Sequence, residues 1–168
     1  MKNFLHFKQS LLFALSLPLG LCFAQATPAP KSESALSAKH ADISVSVKVI
    51  ASADGVCLHD ASSYVWGSEG TCPKNRISGI EVTRAGKALF VPISAFADLG
   101  NPSKVTLKKP TNSKYFTVLV SGGDAGTSYQ AKLTFGALYL KQRRVESSSF
   151  PEDAFEVTNF KFNLENNR

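Results

Sequence analysis

The amino-acid sequence predicts an all-β protein, an antiparallel β-sandwich or a small barrel of about eight or nine strands. Three observations predict this class: short runs of apolar residues alternate with polar residues at period two, turn residues separate the runs, and no strand–helix–strand repetition occurs. The 168 residues are 43% hydrophobic and 19% charged, which suits one globular domain. Eight prolines, eleven glycines and the low charge exclude a coiled coil.

The amino terminus has the three-part pattern of a secretory signal peptide. Lys2 and Lys8 form a short positive region, and an apolar run that follows them reaches Phe23. The small residues Ala24 and Ala26 then offer cleavage sites. We therefore expect the chain to be exported, with cleavage after Ala24 or Ala26.

The signal peptide divides the chain into four expected segments. Residues 1–26 form the signal peptide, and residues 27–40, rich in Pro, Ser and Ala, read as a flexible leader. Residues 41–164 are expected to form a single β-sandwich domain, and residues 165–168 a short tail. Removal of the lysines of the signal peptide lowers the formal charge from +6 to about +4. No later stretch is long and apolar enough to span a bilayer.

The first half of the domain contains alternating runs and turn signals. Ile and Val alternate with Ser and Lys after residue 42, as in a half-buried strand. Ala85-Gly86 suits a hairpin turn, because glycine readily adopts a positive φ. Gly79 suits a β-bulge, since the apolar phase shifts there. We expect strands at 43–49, 56–58, 76–84 and 87–93.

A single short helix is expected at residues 94–99, where Ser94 suits the N-cap and Gly100 the end. A bulge near Thr158 or Asn159 would keep all the apolar side chains of the last strand on one face. The further strands are expected near 105–107, 115–120, 129–135, 138–146 and 155–164, with a glycine-rich turn at 122–126.

One disulfide is expected between Cys57 and Cys72, because an exported chain meets an oxidising compartment and cleavage leaves an even pair. The loop that this bond closes is polar and contains the only tryptophan of the chain, Trp66. Large aromatic side chains are frequent binding hot spots, so Tyr64, Trp66 and the neighbouring His59 are candidate binding residues. Packing of Trp66 against the sandwich is the alternative.

Two groups of basic residues are candidates for contact with an acidic partner. Lys108 and Lys109 end one predicted strand, and Lys141 and Arg143 share a face of another if that strand is regular. Their alternative role is that of an ordinary solvated surface that also protects strand edges. The modest charge and the lack of interleaved aromatic residues argue against nucleic acid.

Catalytic and metal-binding patterns are scarce. The sequence has no G-x-S-x-G, H-E-x-x-H, S-x-x-K or P-loop motif. His59 is the one plausible histidine base, and Glu152, Asp153 and Glu156 are acids around a turn. A zinc site that includes Cys57 lacks the C-x-x-C spacing, so we expect no metal and no cofactor.

These observations favour an exported, non-enzymatic binding protein of the cell envelope, periplasmic or secreted. Its expected partner is another protein, which would make it an inhibitor or an immunity-type protein. One alternative is a small secreted hydrolase that uses His59 or paired acids. The other is a structural or adhesive subunit, which would need an open sheet edge.

Overall fold

The computed structural model describes residues 33–52, 65–68, 72–108, 114–152 and 154–163. Within them the chain forms two antiparallel sheets, of four and five strands, and each sheet joins strands that follow one another in sequence. The predicted antiparallel β class is confirmed. The strands are β1 (Glu33–His40), β2 (Ile43–Ala51), β3 (Asn75–Arg84), β4 (Lys87–Leu89), β5 (Pro102–Lys108), β6 (Phe116–Gly122), β7 (Tyr129–Phe135), β8 (Leu140–Ser147) and β9 (Ala154–Asn159).

One hydrophobic core receives the alternate side chains of both sheets. Successive side chains of a strand point to opposite faces, so a period-two pattern buries every second residue. Full burial of a Val, Leu, Ile or Phe side chain stabilises the fold by about 1.5–3 kcal/mol relative to exposure. The clearest examples are Ile43, Val45, Val47 and Val49 of β2 and Tyr129, Ala131, Leu133 and Phe135 of β7, all buried in that core.

Isolated bridges join segments at the margins of the two sheets. The Phe90 N–H donates to the Leu138 carbonyl at 3.0 Å, and the Leu140 N–H donates to the Phe90 carbonyl at 3.0 Å. Two further bridges join Trp66 to Leu99 and residue 76 to residue 100. The arrangement is sandwich-like, and the described strands do not close into the barrel that was the second predicted option. Among the described residues, none of the helices has the length and apolarity needed to cross a membrane.

The expected flexible leader is wrong at its carboxyl end, because Glu33–His40 forms strand β1. This strand pairs with Ile43–Ala51 along its whole length. Leu36 and Ala38 pack against the core. Ala41, at φ 51°, supplies the positive φ of the tight connection between the two strands. The composition of these residues did not predict a strand, because they include few apolar side chains. An edge strand can still form with few apolar side chains, since it is held by backbone hydrogen bonds to its neighbour.

The expected helix at 94–99 is also wrong in extent. The structure has a 3₁₀ turn at Ile93–Ala95, preceded by Pro92, and no side chain caps its start. The Ser94 cap is therefore not formed. Phe96 and Leu99, which follow, are buried in the core. The apolar side chains of this short segment turn inward, so core packing replaces a helix that would be marginal at two turns.

The bulge predicted at Gly79 lies one residue away. Lys48 pairs with Gly79 and Val49 pairs with Ile77, so Ser78 is the extra residue of β3. The shift keeps the valines of β2 and the isoleucines of β3 on the same buried face.

The bulge expected near Thr158 is wrong in position. The register shift in the last strand pair lies opposite Val145 and Glu146, and it leaves Phe155 without a cross-strand partner. Phe155 is consequently 59% exposed and Val157 49% exposed, instead of facing the core. A bulge re-aims the side chain that it carries, and here it turns an aromatic ring outward.

The expected basic face of Lys141 and Arg143 is not formed. Phe135 pairs with Leu140 and Thr134 with Gln142, so Lys141 is an extra residue that breaks the alternation. Arg143 is only 3% exposed. The irregular register thus sends one of these two basic side chains inward and leaves the other at the surface.

Arg143 forms ion pairs on two sides within the protein. Its guanidinium donates to Asp98 Oδ2 at 2.6 Å and to Glu156 Oε1 at 2.9 Å. Thr158 Oγ1 also donates to Glu156 Oε1, at 2.8 Å. Burial, together with the negative charge of Asp98, raises the pKa of Tyr129 beside them, so this phenol stays protonated. The network links β8, β9 and the segment that follows the 3₁₀ turn.

We expect Arg143→Met to lower the free energy of unfolding by about 3 kcal/mol, because it leaves two carboxylates without their buried partner. The exposed Arg76 supplies a matched control, and Arg76→Met should change stability by less than about 0.5 kcal/mol. Urea denaturation followed by circular dichroism measures both values. Equal losses in the two variants would show that Arg143 has no special structural role.

Candidate functional site

A surface cavity with a volume of about 740 Å³ lies at one end of the sandwich. That size is ordinary for a ligand site. It lies where the start of β6, the β7–β8 turn and the segment after β9 meet. We call it the end cleft and define it by Lys114, Tyr115, Tyr139, Lys141, Lys161 and Phe162.

Aromatic rings form one wall of the end cleft. The Phe162 ring lies edge-on to Phe90, with centroids 5.0 Å apart, and edge-on to Tyr139 at 5.3 Å. Phe160 stacks near Phe162 at 6.0 Å and packs against the core. Edge-to-face and offset contacts are the favoured geometries of aromatic pairs. The wall is therefore fixed to the body of the protein.

Lys141 is held in place by its surroundings. Its Nζ atom lies 3.5 Å from the centroid of the Tyr139 ring, in a cation–π contact. The side chain passes over Gly136, where an added Cβ would come within 2.9 Å of Lys141 Cε. A similar pair is formed by Lys114 and Tyr115, with Nζ 5.4 Å from the ring centroid. Two of the lysine ammonium groups are thus placed over aromatic rings of the same cleft.

The end cleft is positively charged. The described residues that line it include three lysines and neither Asp nor Glu. Elsewhere on the surface, by contrast, Lys132 pairs with the buried Glu146. Several cations of one sign in a concave site raise the local concentration of anions. The chemistry of this cleft therefore favours an anionic group attached to an apolar or aromatic one.

A second, smaller cavity of about 430 Å³ adjoins the tryptophan. The rings of Trp66 and Phe155 stack there with centroids 5.5 Å apart and planes at 27°. Trp66 is half-buried and packs against the core, so the alternative of a packed tryptophan is correct, although its ring also lines a cavity. We call this the Trp–Phe groove and define it by Trp66, Thr127, Ser128, Ser147 and Phe155.

The four predicted binding residues that the structure describes do not form one site. Trp66 and Lys141 line different cavities, and Arg143 is buried in ion pairs. Lys108 is exposed at the end of β5 and lines neither cavity. The other three, His59, Tyr64 and Lys109, lie outside the described residues.

The predicted Cys57–Cys72 disulfide stays a prediction. Cys72 is half-buried at the start of the segment that leads into β3, whereas Cys57 lies outside the described residues. The bond would tie the segment that precedes Trp66 to the one that follows it.

Of the acids considered for a hydrolase, only Glu156 has a carboxylate contact that the described residues show. Glu156 accepts hydrogen bonds from Arg143, and the carbonyl of Glu152 accepts one from Arg144 at 3.0 Å. Asp153 and His59 lie outside the described residues. In the part of the chain that the structure describes, no three His, Cys, Asp or Glu side chains are grouped as metal ligands would be.

Sequence reasoning predicted Lys141 but missed the aromatic residues around it. A usable signal was present, because each aromatic residue of the cleft has a lysine one or two positions away in sequence. Such pairs place a ring and a cation at the same surface point when the strand ends or bulges. The pairs are Lys114-Tyr115, Tyr139 with Lys141, and Lys161-Phe162.

Comparisons with known proteins leave the function of the end cleft to be inferred from its own residues. No protein-family model matches this chain, and neither a curated protein nor a solved structure does.

Proposed function

We propose that this chain is an exported, non-enzymatic binding protein of the cell envelope, periplasmic or secreted, whose end cleft binds an acidic segment of another protein. The observation that carries the proposal is the set of three lysines around an aromatic wall, with neither Asp nor Glu among the described lining residues. An inhibitor or immunity-type role against a secreted hydrolase or toxin is the specific form we propose. Its support is the recognition surface together with the expected signal peptide.

Exposed apolar side chains in and beside the end cleft favour a protein partner over a small anion. Phe90 is 45% exposed, and Leu138 and Tyr115 are each 37% exposed. The backbones of Phe90 and Leu138 are hydrogen-bonded, so these two residues are neighbours. Exposed aromatic anchors beside charged groups are typical of interface hot spots. A polypeptide segment would cover these side chains, whereas a small ion would leave them in water.

The lysines and the rings would contribute differently to binding. An exposed ion pair contributes only about 0.2–1 kcal/mol, so the lysines alone would not hold a partner. The aromatic wall offers apolar area, and the lysines would accelerate association and exclude basic partners. A partner segment should therefore combine Asp or Glu with an apolar or aromatic residue.

The proposal includes cleavage after Ala24 or Ala26 and a Cys57–Cys72 disulfide. We expect native protein recovered from the envelope or medium to have a mass lower by the signal peptide. Alkylation without reduction should add no label to it, and alkylation after reduction should add two labels, as mass spectrometry can show. A loop of about 15 residues closed by this bond should add about 3 kcal/mol of stability. Labelling of the unreduced native protein would contradict the disulfide.

Charge reversal tests the end cleft as the contact site. We expect Lys141→Glu with Lys161→Glu to reduce recovery of the partner from envelope extract about tenfold, equivalent to ~1.4 kcal/mol. The control, Lys87→Glu with Lys104→Glu, makes the same change of net charge at exposed positions outside the cleft. Quantitative mass spectrometry of the captured proteins measures recovery. Equal loss with both pairs, or no loss with the first, would contradict the proposal.

Substitution of Gly136 tests whether the position of the Lys141 side chain, and not only its charge, contributes to partner binding. We expect Gly136→Ala to weaken binding of the captured partner about threefold, about 0.65 kcal/mol, because the new Cβ would displace the Lys141 side chain from Tyr139. Gly79→Ala is the matched control, since a Cβ there meets only Lys48 Cδ, at 3.8 Å. Biolayer interferometry measures both affinities. Unchanged affinity in Gly136→Ala would show that the cation–π placement has no part in recognition.

A structural or adhesive role is the second candidate, and strand β9 favours it. This strand is the edge of its sheet in the described part of the chain, and it exposes Phe155 and Val157. An exposed apolar edge strand can add a strand from another chain. The hydrolase alternative gains no comparable support from the described residues.

A further inference from the structure

We propose that the Trp–Phe groove is a second binding site and that its ligand is an uncharged saccharide. A sugar ring would lie against the aromatic side chains, while its hydroxyl groups would exchange hydrogen bonds with Thr127, Ser128 and Ser147. The inference goes beyond the proposed protein-binding function and uses none of the residues of the end cleft.

On one side of the groove, backbone hydrogen bonds and core packing hold Trp66 in place. The Trp66 N–H donates to the Asp98 carbonyl at 2.8 Å, and the Gly100 N–H donates to the Trp66 carbonyl at 2.8 Å. The indole also packs against the core. A ligand would therefore meet a ring whose position is already fixed, which lowers the entropy cost of binding.

On the other side of the groove, the bulge in β9 determines where the Phe155 ring lies. Phe155 is the extra residue of that bulge, and its ring stacks on Trp66 instead of entering the core. The ring remains 59% exposed. Bulges that re-aim one side chain often lie next to functional sites. The bulge thus holds the Phe155 ring at the surface, where it could cover the apolar face of a ligand.

Hydroxyl groups supply the polar part of the groove. Thr127 Oγ1 donates to the Asp124 carbonyl at 2.9 Å and accepts the Asp124 N–H at 3.4 Å, the latter as part of a capping box. Ser147 Oγ accepts the Ser149 N–H at 3.2 Å. A hydroxyl can donate one hydrogen bond and accept two, so each retains capacity for a sugar hydroxyl.

The absence of charged side chains from the described lining of the groove indicates which class of ligand it would bind. No charged side chain occurs among the described residues that line the groove, in contrast to the lysines of the end cleft. An anion would lose its hydration there without gaining a charged partner. A purely apolar ligand would displace water from the hydroxyl groups without replacing its hydrogen bonds. A neutral saccharide has both an apolar face and hydroxyl groups, and the volume of about 430 Å³ is within the usual range for ligand sites.

The single tryptophan of the chain provides the test, because emission excited at the red edge of the absorption band, where tyrosine does not absorb, reports on Trp66 alone. The full chain is titrated with maltotetraose, cellotetraose and chitotetraose, and with trigalacturonate as the acidic comparison. We expect a saturable change of emission with at least one neutral sugar. Phe155→Ala should raise the dissociation constant about tenfold. Phe150→Ala, at an exposed ring outside the groove, should leave it unchanged.

The remaining outcomes overturn the inference. They are no response to any neutral sugar, a response confined to trigalacturonate, or equal weakening by Phe155→Ala and Phe150→Ala. The variant with Lys141→Glu and Lys161→Glu should bind the sugar as the unmodified chain does. This last measurement separates the two proposals. If the variant loses protein binding but still binds the sugar, the end cleft binds the protein and the Trp–Phe groove binds the sugar independently.

Discussion

The ion pairs of Arg143 are the interaction on which the arrangement of the Trp–Phe groove depends. One buried guanidinium joins Asp98, in the segment between the sheets, to Glu156 on β9. Asp98 also carries the carbonyl that holds the Trp66 backbone, and Glu156 follows Phe155 directly. The two rings of the Trp–Phe groove are therefore positioned from opposite sides by the same charge. Buried ion pairs contribute little net stability compared with apolar packing, but they are costly to break, so they favour one arrangement over others.

Much of the fold could be predicted because period-two burial is visible in sequence. The alternation at β2 and β7 is regular, and both strands lie where the sequence placed them. Strand β1 could not be predicted in this way, since its stability comes from backbone pairing to β2, which leaves almost no side-chain signal. The inward position of Arg143 was hidden for another reason. Its face is decided by a register shift around Lys141, and only cross-strand pairing defines that shift.

The end cleft also could not be predicted in full, because its residues come together only through cross-strand pairing. Its residues come from three separated segments, the start of β6, the β7–β8 turn and the chain after β9. Sequence reasoning found Lys141 because basic residues cluster there. It did not find Tyr139 or Phe162, because aromatic residues in strand-like runs are normally assigned to the core. Proximity of these segments follows from β8 pairing with both β7 and β9, which no local pattern encodes.

The meander order of the two sheets has a consequence for the way the molecule assembles. Each sheet joins only consecutive strands, so its hydrogen-bond ladders link residues that are close along the chain. Other contacts span much longer separations, 45 residues for the hydrogen bond from Arg143 on β8 to Asp98 in the segment between the sheets. Closing longer loops costs more chain entropy, and contacts of high sequence separation slow folding. The ladders can therefore form locally, whereas the bond between Arg143 and Asp98 has to await the meeting of the sheets. The Trp–Phe groove, which that bond helps to position, would therefore form only after the two sheets have met.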